Sequence, residues 1–307
     1  MSPTNPRILP YGEAAIAEAA ALIRAGECVA VPTETVYGLA ADATDSAAVA
    51  GIYAAKGRPS FNPLIVHVAD LAVAERIAVF DDAARDLAER FWPGPLTLVL
   101  PVRAGSGIAS LVTAGLETIA LRVPAHRAMQ ALLAVCGKPL AAPSANASGA
   151  ISPTRAEHVA ASLAGRIPLV IDDGATPAGL ESTIVMDGHV LRPGPLTAAD
   201  LGLSDAAPAS GTITAPGQLA SHYAPGKPLR LDAVERNGGE WLIGFGPIAG
   251  DDTLSATGDL VEAASRLFDA LHRADASAAP AIAVAPVPHA GIGIAINDRL
   301  RRAAHPR

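Results

Sequence analysis

The sequence reads as an α/β protein built on a mixed sheet, and three observations carry that reading. Short runs of apolar and β-branched residues alternate with stretches of helical periodicity. Many of the strands follow one another with no helix between them. That argues for a mixed, strongly curved sheet with flanking helices rather than a regular βαβ array. Half of the 307 residues are apolar, yet 67 are alanine and only 4% are aromatic. Such small side chains suit helices packed closely on a sheet.

Residues 13–25 place Ile16, Ala19, Ala20 and Ile23 at helical spacing and stop at Gly26. Residues 28–32 read as a buried strand, with the polar turn Thr33-Glu34-Thr35 after it. A helix over 47–55 is broken by Gly57 and Pro59. A strand over 64–68, helices around 70–78 and 82–91, and strands over 96–100 and 118–123 follow. A helix over 125–135 leads to a short strand at 140–143. Thr154-Arg155-Ala156-Glu157 has the form of a capping box and predicts a helix to about Leu163. Strands over 169–172, 182–186 and 190–191 close the first domain near Arg192, with a tight Asp187-Gly188 turn inside the last pair.

Residues 195–218 hold Pro195, Pro208 and Pro216 among Gly, Ser and Thr, and read as a linker. Beyond it, strands at 229–231, 241–243 and 281–285 and helices at 260–271 and 292–301 form a second, small α/β domain.

No segment is long and apolar enough to span a membrane, and residues 1–10 lack the features of a signal peptide. Cys28 and Cys136 show no paired spacing and read as reduced thiols of a cytoplasmic protein. Residues 1–195 carry 14 basic and 18 acidic side chains, net -4. A surface that grips a nucleic-acid backbone is not expected from that balance. No Walker loop, HExxH, paired-Cys or GxSxG signature is present. Gly244-Phe245-Gly246-Pro247-Ile248-Ala249 fits a loose dinucleotide fingerprint, but the next helix begins about ten residues later, so a plain turn is the better reading.

Three local patterns can carry chemistry. The segment Tyr-Ala-Ala-Lys-Gly-Arg-Pro-Ser-Phe-Asn-Pro-Leu-Ile-Val-His, ending at His67, holds Lys56, Arg58 and His67 and no acid. Two cations on a tight turn suit an anionic ligand such as a triphosphate. The alternative is that cations favour helix C-termini through the dipole. That explains Lys56 well, and Arg58 and Asn62 less well. The run Ala142-Pro143-Ser144-Ala145-Asn146 after a buried strand is material for a ligand loop, or for an ordinary turn. Arg122 lies inside an apolar strand on the face of Ala120, either as a structural ion pair or as a carboxylate receptor.

Together with Pro32-Thr33-Glu34-Thr35-Val36-Tyr37-Gly38-Leu39, Trp92-Pro93-Gly94-Pro95-Leu96-Thr97, Glu181-Ser182-Thr183-Ile184 and Leu191-Arg192-Pro193-Gly194, these segments resemble the YrdC-like domain of the L-threonylcarbamoyladenylate synthase family. His222-Tyr223-Ala224-Pro225-Gly226 and Ala295-Ile296-Asn297-Asp298-Arg299-Leu300 resemble its long, two-domain form. The resemblance implies a YrdC-like catalytic domain over 1–194, a linker and lid over 195–227, and a small C-terminal α/β, Rossmann-like domain over 228–307.

It also implies that L-threonine, bicarbonate or CO2, and ATP are joined into threonylcarbamoyl-AMP with release of pyrophosphate. The product would pass to a tRNA threonylcarbamoyltransferase complex, with no tight tRNA binding by this chain. By the family pattern Lys56 and Arg58 are catalytic. ATP would meet Lys56, Arg58, Asn62, Thr118, Ser144, Asn146, Ser152, Arg192 and Tyr223. L-Threonine would meet Thr35, His67, Arg122, the backbone of Ala142, and Ser182. Mg2+ would accompany ATP, held by phosphates and water, with no metal bound tightly by the protein. Rival readings are an RNA-binding protein of this fold, a carbamoyl-transfer maturase, and an ATP-binding regulator without catalysis. The acidic charge, the missing Cys pairs, and the presence of both Lys56 and Arg58 weigh against them in turn.

Overall fold

The computed structural model describes residues 5–203 and 221–305. The first unit runs β1 (Arg7–Pro10), α1 (Glu13–Arg24), β2 (Val29–Pro32), β3 (Tyr37–Asp42), α2 (Ser46–Lys56), β4 (Ile65–His67), α3 (Leu71–Ile77), α4 (Asp82–Phe91) and β5 (Leu96–Pro101). It continues through α5 (Ser110–Thr113), β6 (Thr118–Arg122), α6 (Arg127–Cys136), β7 (Leu140–Ala141), α7 (Ala156–Ser162), β8 (Leu169–Asp172), β9 (Thr183–Met186), β10 (His189–Arg192) and α8 (Ala198–Leu201). The second unit holds β11 (Leu229–Arg230), β12 (Trp241–Gly244), β13 (Asp252–Thr253), α9 (Leu260–Ala276), β14 (Ile282–Val284) and α10 (Gly293–Ala304).

The first unit is one mixed sheet in the order β1-β8-β2-β3-β7-β4-β6-β5-β9-β10. Pairs such as β4–β6 and β5–β9 are parallel, while β2–β3, β4–β7 and β5–β6 are antiparallel. On one face Leu39, Val66, Leu98 and Leu121 pack with Ile52 of α2 and Leu87 of α4. On the other, α1 and α6 bring Ile16, Ala20, Met129 and Leu132 against Val29, Val31 and Leu169. Alternation along each strand feeds both layers, and alanines such as Ala19, Ala20 and Ala128 let the helices approach closely. A smaller apolar patch, Ile65, Val99, Ala120 and Ile184, crosses the middle of the sheet.

The second unit is a parallel four-stranded sheet, β11-β14-β12-β13, covered by α9 and α10. Its core also takes in Val36, Ile151 and Leu180 of the first unit, so the two share apolar packing. At the seam Gly179, with φ +68, leaves no room for a side chain: a Cβ there would lie 2.5 Å from the Cα of Ser265 on α9.

Several expectations need correction. β1, β3, α5, α8 and β13 have no counterpart in the sequence reading. β3 is a Tyr-Gly-Leu-Ala-Ala-Asp strand, buried throughout, whose two alanines and glycine hide the usual β signal. The expected capping box at Thr154 does not form. α7 begins at Ala156 with Arg155 before it and no side-chain cap, because Thr154 turns to the ring of His158. α9 extends to Ala276, beyond the expected end. The start of the expected linker is folded: Thr197 and Asp200 cap α8 reciprocally, and Leu201 is buried in the main core. Residues 204–220, the rest of that linker, lie outside the described residues. Gly244 to Ala249 is a tight turn closed by Phe245 and Ile248, as expected. No described helix is long and apolar enough to cross a membrane.

Candidate active site

A pocket opens beside the apolar patch at the centre of the sheet. Parallel pairing of β4 with β6 sets His67 opposite Arg122 at its edge. The turn between β2 and β3 brings Thr33 and Thr35, whose hydroxyls share a 2.8 Å hydrogen bond.

Arg122 is buried and held on three sides. Its Nε donates to the carbonyl of Gly94 at 3.1 Å, Nη1 to the Thr35 hydroxyl at 2.9 Å, and Nη2 to Glu34 Oε1 at 2.5 Å. A guanidinium has five N–H donors, so two are left over from these three bonds. His67 is buried with both ring nitrogens unpartnered. Burial, reinforced by the charge of Arg122, keeps its pKa well below the usual histidine value, so the ring is neutral at pH 7.

Three further cations, Arg58, Arg192 and Lys56, lie in or just behind the wall. α2 ends on Gly57 in the left-handed conformation, and the chain turns there to bury Arg58. Its Nε and Nη2 donate to the carbonyls of Asn62 and Pro63, at 3.3 and 3.0 Å. Burial lowers its pKa to about 10. Arg192, from β10, donates to the carbonyl of Ser182 at 2.9 Å and to its hydroxyl at 3.1 Å. Lys56 is pinned under the loop after β7, its Nζ donating to the carbonyls of Ser144 and Asn146 at 2.5 and 2.6 Å. Burial, and then the neighbouring Arg58, press its pKa well below the lysine range.

Of the residues expected to bind substrates, Thr35, Arg58, His67, Arg122, Ala142, Ser144, Ser182, Arg192 and Tyr223 line this one pocket. Lys56, Asn62, Asn146 and Ser152 stand one hydrogen bond behind its wall. Thr118 does not line it. It opens β6, four residues before Arg122 on the same face of the strand.

The fold adds residues that were not singled out. Glu34 pairs with Arg122. Glu181 is buried in the pocket wall, taking the Ser152 hydroxyl at 2.5 Å on one oxygen and Arg299 Nε at 2.8 Å on the other. Burial opposes its charge, yet Arg299 and Arg192 hold the carboxyl below its ordinary range. His222 also lines the pocket. Tyr223 is wholly buried at φ 62, its ring packed on Phe268 and on the guanidinium of Arg299. Its segment is tied down on both sides, His222 N donating to Arg302 O at 3.2 Å and Ala224 N to Gly149 O at 2.9 Å.

Ten buried side-chain N or O atoms among the described residues have no hydrogen-bond partner, and eight belong to Glu34, Asn62, His67, His222, Tyr223 and Arg299. Unsatisfied polar atoms cost stability where they serve nothing else, so their gathering at one pocket marks a binding site.

A pocket lined by Arg58, Arg122, Arg192 and a neutral His67 defines an α/β protein whose site suits an anionic ligand. Residues 21–194 match the Sua5–YciO–YrdC family, described as telomere recombination, and residues 190–305 match the C-terminal domain of threonylcarbamoyl-AMP synthase. The chain is 41% identical to threonylcarbamoyl-AMP synthase of Bacillus subtilis over 94% of its own length and 92% of that protein. It is 39% identical to the same enzyme of Pyrococcus abyssi, covering 93% of each. The crystal structure of P. abyssi Sua5 complexed with L-threonine superposes with a TM-score of 0.89, at 37% identity over 97% of both chains. The chain belongs to the Sua5 family of threonylcarbamoyl-AMP synthases.

Proposed function

We propose that this chain joins L-threonine, bicarbonate or CO2, and ATP into threonylcarbamoyl-AMP, releasing pyrophosphate, for threonylcarbamoyladenosine modification of tRNA. In reaction class it is a nucleotidyltransferase. The observation that carries the reading is the convergence of Arg58, Arg122, Arg192 and neutral His67 on one pocket, in a chain alike over its whole length to enzymes of that name.

The chemistry assigns the sides. Arg122 takes the carboxylate of threonine through its two spare N–H groups, with Thr35, His67, Ser182 and the backbone of Ala142 around the rest. The threonine amine adds to the carbon of CO2 and gives up a proton to form a carbamate, or displaces water from bicarbonate. Protonation in water returns it to amine and CO2, so it must form dry and aligned. A carbamate oxygen then attacks the α-phosphorus of ATP, and the bond to pyrophosphate breaks. Charge builds on the leaving group, so fixed cations there lower the barrier more than a strong base would. Arg58 and Arg192 fill that role, with Lys56 shaping the loop of Ser144 and Asn146 from behind. Asn62, Ser152 and Tyr223 complete the ATP side, and Thr118 lies toward its far end.

Among the described residues no group of three or more His, Cys, Asp or Glu side chains is placed to hold a metal ion. Mg2+ would come with ATP, held by phosphates and water. The working units are a catalytic domain over 1–194, a linker and lid over 195–227, and a C-terminal domain over 228–307. The protein acts in the cytoplasm and hands its product to a tRNA threonylcarbamoyltransferase complex without gripping tRNA itself.

The test is pyrophosphate release by the pure protein with and without L-threonine and bicarbonate, alongside Arg58→Ala. Release that needs both co-substrates and is lost in the variant is expected. Release independent of threonine would overturn the reading.

A further inference from the structure

Arg299 lies on α10, in the second unit, and its side chain is fully buried. Its Nε donates to Glu181 Oε2 at 2.8 Å and its Nη1 to Asp298 Oδ2 at 2.8 Å. Its guanidinium carbon sits 5.2 Å from the ring centroid of Tyr223. Glu181 and Tyr223 both line the pocket, and Glu181 fixes the Ser152 hydroxyl with its other oxygen. One side chain of the second unit thus touches two residues of the pocket wall, Glu181 of the first unit and Tyr223 of the segment that joins the units.

A buried ion pair is a poor way to hold two units together. The desolvation cost offsets much of the attraction, and an apolar side chain of similar size often does as well or better. The cluster is also incompletely satisfied. Nη2 of Arg299 and the hydroxyl of Tyr223 are both buried without a partner. A clamp selected for stability alone would leave neither. Among the described hydrogen bonds and ion pairs, none joins Arg299 to Thr35, His67 or Arg122, the carboxylate side of the pocket.

We propose that Arg299 is a positioning residue for the nucleotide side of the pocket: it fixes Glu181, and through it Ser152, and carries the ring of Tyr223, so that the second unit completes the ATP surface. This rests on the assignment of ATP to that side. The C-terminal domain then has a defined task, which is to add a second counter-charge to Glu181 beside Arg192 and to support the ring of Tyr223.

The test uses the full chain with Arg299→Met and Arg299→Lys, measuring ATP and L-threonine affinities by calorimetry and KM and kcat by pyrophosphate release. Arg299→Met is expected to weaken ATP at least tenfold while L-threonine stays within twofold, and to raise KM for ATP more than it lowers kcat. Arg299→Lys recovers part of the loss, since an ammonium can meet Glu181 but cannot also reach Asp298 and lie flat over Tyr223. If Arg299→Met fails to fold, Glu181→Gln tests the same link by weakening the pair and keeping its shape. Unchanged ATP affinity in these variants, or equal weakening of both ligands, overturns the proposal. A wild-type chain that binds no ATP would instead remove the assignment of the site itself.

Discussion

Arg122 is held so completely that its orientation is settled before any ligand arrives. The Gly94 carbonyl, the Thr35 hydroxyl and Glu34 take three of its five donors, so an entering carboxylate meets a fixed fork. Arg122→Lys should weaken L-threonine by tenfold or more in calorimetry and leave ATP affinity nearly unchanged, since a lysine is a single point charge with no planar fork. Tyr223 offers a complementary case. Its hydroxyl is buried and unpartnered, so Tyr223→Phe should keep the melting temperature. ATP should weaken by about 3- to 10-fold, the value of one net hydrogen bond. A melting temperature that falls with ATP affinity intact would show that the hydroxyl serves the fold instead. Arg58, Arg122 and Asn62 stood out in the sequence because each is polar in an apolar or tightly turned setting. Glu181 and Arg299 did not, because their meaning lies in their pairing across 118 residues. One signal was available: Arg299 is a buried charge set among Ile296, Leu300 and Ala303 on the apolar face of α10.

Elements with strong periodicity or β-branched content, such as α1, α2, β5 and β6, could be read directly. β3 could not, since burial on both faces removes alternation and leaves Gly and Ala with no local preference for a strand. α8 was lost in a Pro-rich stretch, although its reciprocal Thr197–Asp200 cap is what lets so short a helix form. Gly179 shows how one backbone position governs the approach of two elements. Any side chain there meets the backbone of α9 and must also accept a left-handed φ. Gly179→Ala should destabilise the protein by about 2–4 kcal/mol in urea unfolding, from overpacking together with backbone strain. ATP affinity should fall with it, because α9 and α10 share one packed core. Loss of stability with ATP binding fully retained would separate the seam from the site.

Two buried histidines, His67 and His222, and the half-buried His272 shape how the folded protein responds to acid. Burial lowers His222 and His272 to about 3 and keeps His67 well below its ordinary value. In the unfolded chain each titrates near 6.5. Below that pH the unfolded state takes up protons that the native state refuses, so native stability falls as the solution is acidified. Above it both states are neutral at these sites and the contribution is flat. The slope approaches about 1.4 kcal/mol per pH unit for each histidine. Urea midpoints should therefore hold steady from pH 8 to 7 and drop steeply from 6.5 to 5, with His272→Gln showing a shallower drop. A flat profile between pH 6.5 and 5 would mean that these rings protonate as easily inside the fold as outside it.

The bond between Glu181 and Arg299 also sets an order of events during synthesis. The ten-stranded sheet ends at Arg192, so on the ribosome it can assemble while α10 has yet to be made. Until that helix arrives, Glu181 stays hydrated and Tyr223 has no guanidinium to rest on. Without that helix the pocket wall at Glu181 would stand open to water. Completion comes from a helix that adds no strand to the sheet.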